Sequence, residues 1–318
     1  MAPDAGSPIR KLWSWRDLLV VGAVLVLAGC GASTRAVSHR CASPACQPAV
    51  SSVRTGGGGS LRVKRLLRVI ASRLHAPQVS SGAPIDFRDR EYALEITNAG
   101  SPTAYTVATT ILQRIRVMPD SSATEHLRVV KPAKFVSRTA RLNWIATGSP
   151  PLPNGHHAAY RWSVPSGSFS FTPQGAPMTY GQVRDLPSSP AALAQKFRRL
   201  LDARADPSPA EALLRQYGFV LAVAPLPQPV RRAILRAMAM LPGLSLCGGA
   251  VTNAEVHAIA LCMRGNTTRT EVVLDTHEGV ALAVRERLEA PAIFYPNIQI
   301  GALVDSDTFS SAPNHPAQ

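Results

Sequence analysis

What most limits how this chain can fold is where its cysteines fall. There are five, at positions 30, 41, 46, 247 and 262, and the first closes a hydrophobic run as Leu27-Ala28-Gly29-Cys30. Arg10, Lys11 and Arg16 precede that run, Leu18 to Val26 is apolar, and small Ala28 and Gly29 stand just before the thiol. This is the layout of a secretory signal peptide that ends in a lipobox. The apolar stretch from Leu18 to Ala28 has 11 residues, well short of the roughly 20 that span a bilayer as a helix. The sequence therefore predicts a signal peptide over residues 1–29, cleavage before Cys30, and a palmitate-type lipid anchor on the Cys30 thiol. Each buried methylene contributes ~0.8 kcal/mol, so two or three acyl chains hold firmly where one is marginal. The competing reading is an uncleaved transmembrane anchor that ends at Gly31. Both readings place the rest of the chain on the extracytoplasmic face of the cell membrane.

An odd cysteine count in an exported chain needs an explanation. A lipid on Cys30 leaves four cysteines, which sort into two local pairs. Cys247 ends the strand-like run Leu244-Ser245-Leu246, and Cys262 follows Val256 to Leu261. A hairpin turning at Ala254-Glu255 sets these two thiols directly opposite each other, where Cβ separations reach disulfide range. The alternative is two separate buried thiols acting as small apolar side chains. Cys41 and Cys46, in Cys41-Ala42-Ser43-Pro44-Ala45-Cys46, are spaced to close a small loop. No second ligand pair lies near them in sequence, so a metal site is a weak reading.

The whole chain carries a formal charge of +14. A basic chain often binds nucleic acid, but an exported one does not meet it. Anionic lipid head groups or acidic envelope polymers are the expected counter-charges, unless the arginines are simply solvated. Residues 30–60 are rich in Ser, Ala, Pro and Gly and end in Gly56-Gly57-Gly58-Gly59-Ser60, which reads as a flexible tether. The glycines lack the Lys-Ser/Thr sequel of a phosphate loop.

A folded domain is expected over 61–305, with a disordered tail over 306–318. In the run from Leu61 to Leu74, apolar Val63, Leu66, Leu67, Ile70 and Leu74 recur at helical spacing with arginines between. The reading favours a helix packed on a sheet over one lying on the membrane. Strands are expected at Tyr92 to Thr97, Ala104 to Met118 and Glu125 to Val130, a short helix at Ser137 to Thr147, and an extended segment at Phe169 and Phe171. Three helices follow. Ser189-Pro190 opens one over Ala191 to Ala203. Ser208-Pro209-Ala210-Glu211 reads as a capping box opening a second, and Pro229 opens a third that Pro242-Gly243 stops. Strands return at Leu244 to Thr252, Val256 to Met263, Thr270 to Leu274, Val280 to Leu288 and Ile298 to Val304. Segregated antiparallel strands of this kind indicate an α+β fold, a curved antiparallel sheet packed against helices.

Asn143 to Pro153, Asp185 to Leu193 and Pro225 to Gly243 resemble segments of an uncharacterised family of high-GC Gram-positive envelope proteins. The resemblance runs from about Leu61 to Glu289. Its layout is similar to the lipoprotein-carrier half-barrel, the LolA/RseB-like fold, in which a curved sheet wraps helices. That resemblance implies binding of acyl chains or sensing of envelope lipoproteins. Fold alone does not fix function, and no ligand-contacting residues carry over.

Catalytic constellations are thin. Asp275, His277 and Glu278 share one turn, where such residues are common anyway. His156 and His157 are adjacent, so in a strand they face opposite sides. No nucleophile elbow appears. The expectation is a lipoprotein that binds a lipid or other hydrophobic envelope ligand without catalysis and without a cofactor. The alternative is a sensor or scaffold that binds another envelope protein.

Overall fold

The computed structural model describes residues 58–74, 82–97, 101–152, 159–172, 176–201, 208–247, 257–290 and 298–311. The expected signal peptide, Cys30, Cys41, Cys46 and the His156-His157 pair lie outside them. Among the described residues, alternating polarity produces nine strands: β1 (Ile85–Thr97), β2 (Tyr105–Val117), β3 (Ala123–Phe135), β4 (Ala159–Val164), β5 (Ser245–Leu246), β6 (Ala258–Arg264), β7 (Thr268–Asp275), β8 (Ala281–Leu288) and β9 (Leu303–Ser311). Six helices accompany them: α1 (Gly58–Arg73), α2 (Arg138–Ala146), α3 (Tyr180–Arg184), α4 (Pro190–Leu200), α5 (Pro209–Val223) and α6 (Gln228–Met238). The strands form one open antiparallel sheet in the order β4-β3-β2-β1-β9-β8-β7-β6-β5, with helices packed on it. This is the α+β architecture that the sequence predicts.

The sheet is two meanders joined by the last strand. β9 pairs with β1 on one side and β8 on the other. Its position corrects the expected ending of the domain. Residues 298–302 form a turn, with Gly301 at φ 88°, and the strand that follows crosses the expected boundary at 305/306 to reach Ser311. Asp305, Ser306, Asp307 and Ser310 are poor strand formers in isolation. Between two partner strands their backbone groups are satisfied on both edges, and tertiary pairing overrides propensity. β3 also runs past its expected end. Its register with β2 shifts around Thr110 and Lys131, beside Pro132, which has no N–H to give to a ladder.

One face of the sheet is covered by helices. On α1, Val63, Leu67, Ile70 and Leu74 are buried as the spacing predicts, while Arg62, Arg65, Arg68 and Arg73 are exposed. α1 packs against α6, whose Arg232 Nη2 donates to the Leu74 carbonyl at 3.1 Å and whose Gln228 amide donates to the same oxygen. These bonds serve one of the carbonyls a helix leaves open at its C-terminus. α5 lies on β6, β7 and β8 and is buried on nearly every side. Gly218 makes that approach possible, because a Cβ there would meet the Val272 and Val284 methyls at 2.8 and 2.9 Å. Phe169 and Phe171 are buried in an extended segment outside the sheet, and their rings continue through Tyr180.

The start of α5 departs from the expected capping box. Ser208 makes no side-chain cap bond. Glu211 turns into the interior instead, accepting from Thr268 Oγ1 at 3.2 Å and Thr270 Oγ1 at 2.9 Å. The nearby Gly265 has no side chain to obstruct it, since a Cβ there would collide with the Glu211 carboxylate. A reciprocal capping box occurs at α3, between Thr179 and Gln182.

Candidate functional site: an arginine face on the open sheet

Cys247 and Cys262 form a disulfide with Cα atoms 5.2 Å apart. Their register differs from the expected one. Cys262 stands opposite Ser245, and the Cys247 N–H donates to the Ala260 carbonyl at 2.9 Å. The two cysteines are therefore diagonal neighbours on one face rather than direct opposites. A slip of two residues keeps every side chain on its face, and the right-handed twist of a strand pair draws one diagonal together. Both sulfurs and a carboxylate oxygen of Glu271 lie within 4.8 Å of one another. That oxygen, Oε1, already accepts from Arg269 Nη2 at 2.8 Å and Arg287 Nε at 3.1 Å. With the sulfurs bonded to each other and the carboxylate held by two guanidinium groups, the trio reads as a structural staple.

The Asp275 turn is likewise structural. Its carboxylate accepts the backbone N–H groups of His277 and Glu278 at 2.7 and 3.0 Å, which orders the hairpin and occupies the acid.

A larger arrangement comes from the two-residue period of the strands. Along β1, Arg88 and Arg90 point to one face while Asp89 and Glu91 point to the other. β2 places Arg114 beside Arg88, β3 places His126 beside Arg114, and β4 places Arg161 beside His126. The next row runs Arg90, Leu112, Arg128, Ala159. Arg88, Arg90, Arg114, Arg128 and Arg161 are all exposed. None of the five has a carboxylate within ion-pair distance among the described residues. Arg116, in the row beyond, faces Asp86 at 4.0 Å. Between β2, β3 and β4 lies a shallow depression of 280 Å³ whose lining includes Leu112, Arg114, His126, Arg128, Tyr160 and Arg161.

Asp86 apart, the carboxylates of the same strands are on the helix-covered face. Asp89 is 6% exposed, and its Oδ1 has no hydrogen-bond partner among the described residues. Burial, with the charges of Glu91 and Asp305 nearby, holds its carboxyl well above the usual range. Glu91 and Glu95 accept from Gln113 Nε2 at 3.0 Å and Thr109 Oγ1 at 3.1 Å. Burial pushes Glu125 up to about 7, opposed by a hydrogen bond from Trp162. Burial also raises Glu211, and Glu286 is paired with Arg215. Among the described residues, β1 to β4 thus sort charge by face, with every acid but Asp86 under the helices and five arginines without an ion-pair partner in water. The sequence reading missed this face. The signal was present in the alternating runs Arg88-Asp89-Arg90-Glu91 and Arg285-Glu286-Arg287. No protein-family model, curated protein or solved structure matches the chain.

Proposed function

We propose that this chain is a lipid-anchored extracytoplasmic lipoprotein that works by binding rather than catalysis, and that its ligand is anionic and meets the arginine face. The lipobox at Cys30 supports the anchor. One observation carries the ligand reading: five exposed arginines share a sheet face with no described acid within ion-pair distance of them, while the acids of the same strands, except Asp86 beside Arg116, are turned inward. Like charges set side by side across strands are destabilising, and a bound anion relieves that repulsion. The anionic lipids and acidic polymers of a cell envelope are the available partners.

The helix-covered side gives less support to a purely apolar ligand. Its interface is occupied by ring contacts such as Phe197–Tyr217 and Phe219–Phe309, with centroids 5.0 and 5.5 Å apart. An anionic lipid held by its head group reconciles the expected lipid ligand with the observed charge.

Native mass spectrometry of the full chain, extracted from its own membrane in a neutral detergent, tests this reading. The expected spectrum shows an acidic lipid or a fragment of an anionic polymer retained on the protein and lost as salt is raised. Bare protein at the mass of the lipidated chain contradicts it.

A further inference from the structure

We infer that the ligand of the arginine face is a linear phosphate-bearing polyanion laid across the strands, an inference that rests on reading that face as an anion-binding surface. Its cations are guanidinium groups, joined in the depression by His126. Guanidinium is planar and offers paired donors that match the oxygens of a phosphate, whereas an ammonium acts as a point charge. The side-chain type thus favours an oxyanion that accepts two parallel hydrogen bonds.

The register sets the length. Arg88, Arg114, His126 and Arg161 are consecutive partners on four neighbouring strands. At a strand spacing of about 4.8 Å, the row extends ~14 Å. A single phosphate reaches one or two of these side chains, while a chain of phosphates engages the row. In the adjacent row Leu112 and Ala159 flank Arg128, giving apolar floor for the sugar or alkyl spacers between charges. A bilayer fits this face less well. Surface docking relies on several apolar side chains that enter the head-group layer, and of the large apolar side chains lining this depression only Tyr160 is exposed. The exposed Leu142 and Ile145 belong to α2, which packs on the other face of the sheet.

The test is calorimetric titration of the full chain in neutral micelles with three probes: long-chain inorganic polyphosphate, orthophosphate and phosphatidylglycerol. Polyphosphate should bind about a hundredfold more tightly than orthophosphate, the gain expected when linked charges engage several sites at once. The double variant Arg114→Gln/Arg161→Gln should weaken polyphosphate at least about tenfold without lowering the thermal unfolding midpoint of the free protein. The more severe Arg88→Glu/Arg128→Glu variant should abolish binding. Equal affinity for polyphosphate and orthophosphate overturns the inference, as does undiminished binding by the folded glutamine variant. Binding of phosphatidylglycerol without polyphosphate sinks the polymer but leaves the anion-binding reading standing. Binding of neither sinks both.

Discussion

Replacing Cys247 and Cys262 together by serine should lower the unfolding free energy by about 3 kcal/mol, the value for a cross-link closing a loop of some 15 residues. The two cysteines are 15 residues apart in sequence. Between them runs chain that connects β5 to β6, and β5 is only two residues long. So short an edge strand has little pairing of its own, and the cross-link holds it in place. Cys262 is 4% exposed and Cys247 packs against Ala258, Ala260 and Val273, so serine also places a hydroxyl in an apolar setting. Reduction of the wild-type chain by a dithiol should reproduce most of the loss, because it opens the loop without changing side-chain volume. Chemical denaturation of oxidised, reduced and doubly substituted protein measures it. If all three unfold at the same denaturant concentration, the bond contributes nothing and the staple reading fails.

A second large effect concerns Glu125. Its partner in β2 is Ile115 and its partner in β4 is Trp162, on the face where Phe87 packs against the ring of Phe169. Burial raises its carboxyl from 4.5 to about 7, so the folded state holds this proton more tightly than the unfolded chain does. Ionisation therefore opposes folding. The contribution is absent below pH 4.5, grows as pH climbs, and is complete above about pH 7. One pKa unit corresponds to about 1.36 kcal/mol, so the loss across that window is on the order of 3 kcal/mol. The raised carboxyls of Asp89 and Glu211 act in the same direction. Glu125→Gln keeps the shape and an acceptor for the Trp162 N–H. It should stabilise the protein by up to about 3 kcal/mol at pH 8 and by little at pH 4. Stability measured against pH for both proteins decides it: parallel curves would show that Glu125 ionises freely in the fold.

Much of this fold is legible in the sequence because its elements carry strong periodicity. The stripe of Val63, Leu67, Ile70 and Leu74 fixes α1, and the prolines at 190, 209 and 229 mark helix starts that the structure places at or within one residue of them. Legibility fails where tertiary context decides. The run Asp305 to Ser311 has the composition of a tail, yet it becomes the strand that unites the sheet because β1 and β8 each offer it an unpaired edge. Glu211 stands at capping-box spacing, but a buried pair of threonine hydroxyls outcompetes the helix terminus. The cysteine pairing follows from strand periodicity, since a slip of two residues changes neighbours without changing faces. The arginine face escaped because each strand, taken alone, shows only balanced charge. Asp89 cancels Arg88 in composition, and only the pleat reveals that they never share a surface.

The central claim is that the folded chain presents five arginines, without an ion-pair partner among the described residues, as one anion-binding surface. Arginine-specific labelling with phenylglyoxal, read residue by residue by mass spectrometry, tests it most directly. In the ligand-stripped full chain, Arg88, Arg90, Arg114, Arg128 and Arg161 should react rapidly. Arg215, paired with Glu286, and Arg231, 8% exposed, should react slowly. Addition of polyphosphate should protect the first set together and leave the second unchanged. Uniform labelling of all seven, or binding that leaves the five arginines as reactive as before, would contradict the account.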